Sequence, residues 1–82
     1  MPPTVLIVED TQSLAMMYQS YLLPTGVNTL VASDGQTAMD IINKVHPDLI
    51  VLDVMLPDMN GLDILATLEP DNSPQVVVLT GH

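Results

Sequence analysis

Three acids and one hydroxyl stand where they could do chemistry together. Glu9 and Asp10 follow an apolar run at residues 4–8, Asp53 follows one at 49–52, and Thr80 follows one at 76–79. Each run is short, continuous and rich in β-branched residues, the pattern of a strand buried on both faces of a parallel sheet. All four residues therefore fall at the C-terminal ends of predicted strands, where open α/β sheets bind their ligands. If the first and third strands are neighbours, Glu9, Asp10 and Asp53 converge. Three carboxylates in one place repel one another, so they must protonate or recruit a cation. Hard oxygen donors, with room for waters and phosphate oxygens, suit Mg2+. A carboxylate held beside Mg2+ can attack phosphorus and form an acyl phosphate, with the ion offsetting the charge of the incoming phosphoryl group. Thr80 could donate its hydroxyl to a phosphoryl oxygen.

Taken one at a time, most of these residues have plainer readings. Asp10 could cap the first helix, a common role for Asp at a strand-to-helix joint. Glu9 alone reads as a solvated loop acid and Thr80 alone as an ordinary loop residue. Asp53 resists this treatment, because an acid ending an apolar run is desolvated and needs a partner. Asp58 and Asp63 read as surface acids or caps of the third helix, and Asp34, Asp40 and Asp71 as solvated. His46 and His82 have no metal-ligand spacing, and the six Met read as gap-fillers. The chemical reading rests on Glu9, Asp10, Asp53 and Thr80 together.

The elements that must position these residues alternate. A weaker strand is expected at 28–32, at a sheet edge. A first helix is expected over residues 13–23, with an apolar stripe of Leu14, Tyr18, Tyr21 and Leu22, stopped by Pro24 and Gly26. Ser33, with Gln36 three residues on, predicts a capping box opening a second helix. Its stripe is Ala38, Ile41, Ile42 and Val45, and Pro47 ends it. A third helix is expected after Asn60 as N-cap, carrying Leu62, Ile64, Leu65 and Leu68 and closed by Pro70. The resulting βαβαβαβ order gives an α/β, doubly wound parallel sheet. The sequence stops at His82, just after the fourth strand, which would stand at an apolar edge. More structure in the natural protein is expected, or a dimer in which a second copy pairs with or swaps onto that edge.

Composition narrows the function classes. A length of 82 residues suits one small domain. Ten acids face a single base, Lys44, for a formal charge of −9, which argues against direct nucleic-acid binding. No apolar run approaches the roughly 18 residues of a membrane span. The start, Met1-Pro2-Pro3-Thr4, lacks the basic region of a signal peptide, and without cysteines there is no disulfide or thiolate metal site. A cytoplasmic setting fits these features.

Val8-Glu9-Asp10, then Leu52-Asp53-Val54-Met55-Leu56-Pro57-Asp58-Met59-Asn60-Gly61, then Leu79-Thr80-Gly81-His82 resemble the receiver domain of two-component response regulators. The acid pair, the Asp–x–x–Leu–Pro–x–x–x–Gly loop and the strand-end Thr occur in order at the family's spacing, a more specific signal than any one part. The details look most like the NtrC and LuxO type, whose receivers precede a sigma-54-activating ATPase and a DNA-binding helix-turn-helix. The resemblance implies a flavodoxin-like sheet of order 2-1-3-4, with residues 1–82 an incomplete receiver domain lacking its last helix–strand–helix portion. It implies that Asp53 is the phosphoacceptor, with a histidine kinase or phosphotransfer protein as donor and a downstream transcriptional output. Asp10, Asp53 and the backbone carbonyl of Met55 would bind Mg2+, with Glu9 acting partly through water, and Thr80 would be the switch hydroxyl.

A receiver of this kind is a regulated phosphoacceptor and not a turnover enzyme. The family's phosphoryl-pairing lysine and aromatic switch residue have no counterpart here, and Lys44, at the far end of the second helix, does not substitute for the lysine. An interaction scaffold that is not phosphorylated is therefore one alternative. A Mg-dependent phosphatase of the haloacid-dehalogenase kind is another, but that family needs a second acid two residues after the nucleophile, where this chain has Met55.

Overall fold

The computed structural model describes residues 2–68 and 74–79. The elements run β1 (Thr4–Val8), α1 (Gln12–Leu22), a 3-10 turn (Leu23–Thr25), β2 (Asn28–Ala32), α2 (Gly35–Val45), β3 (Leu49–Asp53), α3 (Leu62–Leu65) and β4 (Gln75–Leu79). All strand pairs are parallel and the sheet order is β2-β1-β3-β4, as expected.

Burial on both faces explains the continuous apolar runs of the two central strands. Leu6 and Val8 of β1 and Ile50 and Leu52 of β3 point to one face, where Ala38 and Ile42 of α2 and Ile64 of α3 cover them. Val5 and Ile7 point to the other face, against Ala15 of α1, with Tyr18, Leu22, Leu49 and Val51 around them. Helices thus lie on both faces of the sheet. β2 and β4 are the outer strands, and Val77 and Val78 of β4 stay 48% and 38% exposed among the described residues.

The helices depart from expectation in their details. Asp34, not Ser33, is the N-cap of α2, and its carboxylate accepts from the Thr37 amide. Gln36 takes no part in a capping box; its side-chain amide donates to Asp40 instead. α2 stops at Val45, ahead of Pro47, where His46 turns into the left-handed region at φ 54°. In α1, Tyr21 is 71% exposed, so the buried stripe is Ala15 with half-buried Leu14, Tyr18 and Leu22. α3 is a single turn whose inward residue is Ile64, whereas Leu62 is 47% exposed. The N-cap of this turn is Gly61, not Asn60 as expected, although the Asn60 Oδ1 accepts from the Leu62 amide at 2.8 Å. Pro70 and Asp71 lie outside the described residues.

Candidate metal and phosphoacceptor site

Strand register brings the acids together. Val8 pairs with Leu52 across the β1–β3 ladder, so the next residues, Glu9 and Asp53, stand side by side at the C-terminal end of the sheet. One carboxylate oxygen from each of Glu9, Asp10 and Asp53 lies within 4.8 Å of the others. The three differ in setting. Glu9 is 1% exposed and Asp53 3%, whereas Asp10 is exposed at the rim.

Each buried acid is oriented by a backbone amide two residues on. Glu9 Oε1 accepts from the Thr11 amide at 3.1 Å, and Asp53 Oδ1 accepts from the Met55 amide at 3.1 Å. Glu9 is therefore not a solvated loop acid. Asp10 is not the cap of α1 either; that position is Thr11, whose side chain makes no capping hydrogen bond. Burial raises the Glu9 carboxyl above its ordinary range against the Thr11 hydrogen bond, and the neighbouring carboxylates of Asp53 and Asp10 push it the same way. A fold that holds negative groups this close fits a divalent cation bound by oxygen donors.

The loop after Asp53 is closed upon itself. The Gly61 amide donates to the Val54 carbonyl at 2.6 Å, and Met55 and Asn60 face each other across an antiparallel bridge. Only glycine fits at position 61, because a Cβ there would collide with the Asp53 carbonyl oxygen. The backbone of Met55 thus lies directly beside the Asp53 carboxylate at the end of β3. Thr80, the expected switch hydroxyl, lies outside the described residues; its neighbour Leu79 pairs with Asp53 in the β3–β4 ladder.

Asp58 lies on the surface, one of the two readings the sequence offered, but it makes a contact that neither reading contained. It does not cap α3. Its Oδ1 accepts from the Gly35 amide at 2.8 Å and its Oδ2 from the Gln36 amide at 3.0 Å, at the start of α2. No local spacing signals this contact, since the partners lie 22 and 23 residues apart.

Residues 5–82 match the response regulator receiver domain family. The chain is 42% identical over 78 residues to the regulatory protein LuxO of Vibrio cholerae, covering 93% of this chain and 17% of that protein. It is 41% identical over 76 residues to the DNA-binding response regulator MtrA of Mycolicibacterium smegmatis, covering 93% of this chain and 33% of that protein. The chain thus spans about a sixth to a third of the length of these curated relatives. Among solved structures, it is similar to the signal receiver domain of a protein described as a Luxo repressor from Vibrio parahaemolyticus. That match has a TM-score of 0.91 at 36% identity and covers all of this chain and 64% of the other. The described residues thereby have the flavodoxin-like receiver fold.

Proposed function

Because the chain belongs to the response regulator receiver domain family, we propose that it accepts a phosphoryl group on Asp53, with Mg2+ held at the acid set. The observation that carries this reading is the convergence of Glu9, Asp10 and Asp53 within 4.8 Å at the ends of β1 and β3. Asp10, Asp53 and the backbone carbonyl of Met55 would hold the ion, with Glu9 acting partly through water. When bound, Mg2+ supplies positive charge that offsets the phosphoryl oxygens and the carboxylates around them.

The chain's own residues supply position. The Met55 amide holds one oxygen of Asp53, which fixes the carboxylate plane at the sheet end. A carboxylate oxygen of Asp53 then forms its bond to phosphorus while the bond from phosphorus to the donor's imidazole nitrogen breaks. That nitrogen keeps the electron pair. The donor in this reading is a histidine kinase or phosphotransfer protein, and Thr80 is the hydroxyl that meets the phosphoryl group. The names of the relatives support a transcriptional output for the whole protein. The reaction is a single modification, not turnover.

The test is incubation with Mg2+ and acetyl phosphate, followed by intact-mass measurement. The expected result is one phosphoryl adduct, absent in Asp53→Asn and in EDTA. An adduct that persists in Asp53→Asn would overturn the assignment.

A further inference from the structure

The loop that follows Asp53 is fixed at two ends. Its base is closed by the Gly61–Val54 hydrogen bond and by the Met55–Asn60 bridge. Its outer end is tied to a different element. The Asp58 carboxylate spans the first two amides of α2, and the Met59 side chain packs over Gly35 so closely that a Cβ on that glycine would strike its Sδ, Cγ and Cε atoms. Helix N-termini leave their first amides without intrahelical partners. In α2 the third of these, Thr37, is satisfied locally by Asp34, but the first two are satisfied only from across the site. These amides hold the Asp58 carboxyl below its ordinary range, the Gly35 amide most of all.

We infer that Asp58 is a positioning residue for the cation site: by clamping the α2 N-terminus it fixes the loop that presents the Met55 backbone to the metal. This rests on the proposed function, since it takes the Met55 carbonyl as a ligand. The anchor lies three residues beyond Met55, within the loop closed by the 54–61 hydrogen bond. Removing the Asp58 carboxylate leaves only the Met59–Gly35 packing at the outer end, so the Met55 peptide is held by the base contacts and by that packing alone and is less firmly oriented.

α2 itself supplies the control. Asp34 and Asp58 cap the same helix end, one from the helix's own chain and one from the loop. A merely structural role predicts the same consequences for Asp34→Ala and Asp58→Ala. A positioning role separates them.

Mg2+ affinity is measured by titration calorimetry on the wild-type protein, Asp34→Ala, Asp58→Ala and Asp58→Asn, alongside the urea midpoint of each. Both alanine variants are expected to lower the midpoint. Asp58→Ala is expected to weaken Mg2+ roughly tenfold, as loss of a group that orients a ligand does, while Asp34→Ala leaves affinity within about twofold. Asp58→Asn, which keeps an acceptor for one amide, should fall between. In Asp58→Asn, amide hydrogen exchange at Gly61 should quicken without metal present. Equal Mg2+ affinity in wild type and both Asp58 variants overturns the inference and leaves the proposed function standing. A wild-type protein that does not bind Mg2+ overturns both.

Discussion

Gly61→Ala separates two effects of opposite sign. Gly61 has φ −57° and ψ −29°, a conformation open to any residue. On backbone entropy alone, alanine there should stabilise the protein by about 0.4–1 kcal/mol. The structure predicts the reverse. The new Cβ would meet the Asp53 carbonyl oxygen well inside contact distance, with the Asp53 carbonyl carbon and Val54 Cα each 3.1 Å away. All three atoms are backbone, so no side chain can swing aside. Overpacking of this kind costs about 1–3 kcal/mol, which leaves a net loss of roughly 0–2.5 kcal/mol after the entropic gain. In a domain of this size each kcal/mol lowers the melting temperature by about 4–8 °C. The displaced peptide is that of Asp53 itself, so Mg2+ should bind more weakly as well. Thermal unfolding by circular dichroism, with and without Mg2+, reads both quantities. A Gly61→Ala protein that melts higher than wild type, with an unchanged Mg2+ response, would refute the close approach of α3 to the end of β3.

Two further outcomes follow from burial and charge. Ile64 is fully buried against the sheet and Leu62 is 47% exposed, so Ile64→Ala should cost about 2–5 kcal/mol and Leu62→Ala under about 0.5 kcal/mol in urea unfolding; equal losses would mean that α3 is rotated. For Glu9, the folded carboxyl titrates above its ordinary value of 4.5, so the folded chain holds its proton longer than the unfolded one. Its contribution to metal-free stability is then full below that value and lost as pH rises through the raised one. Glu9→Gln should flatten that decline in EDTA, and parallel pH curves for the two proteins would exclude a burdened Glu9.

The fold was legible where burial is two-sided. β1 and β3 carry unbroken apolar runs because helices cover both faces, and no other element could use such runs in a chain this short. The helices were read less well because periodicity leaves rotation open within a turn. Leu62, Ile64, Leu65 and Leu68 are the apolar residues expected of the third helix. Ile64, Leu65 and Leu68 do pack on the core, but α3 is one turn long and closed at its start by the 54–61 hydrogen bond, and Leu62 is left outward. Ser33 and Asp34 are both good caps standing side by side. Asp34 prevails because its extended backbone, at φ −148° and ψ 170°, lets the carboxylate reach Thr37.

The acid set was legible because each member ends or follows a strand, and a parallel register carries strand-end residues to the same edge. Asp58 was not, since a surface acid in a turn gives no sign that it reaches an amide more than twenty residues away. The two kinds of carboxylate are held by opposite physics. Asp58 is stabilised as an anion by the amides it accepts, and it gains from folding without a cation. Glu9 is pressed against Asp53 in a buried setting that disfavours its charge, so folding alone works against it. A cation reverses that balance for Glu9, whereas Asp58 is stable as an anion without one. Mg2+ should therefore stabilise the wild-type protein more than Glu9→Gln, although the variant is the more stable of the two in EDTA near neutral pH. That crossing of order, rather than either stability alone, is what a site built for a divalent ion requires.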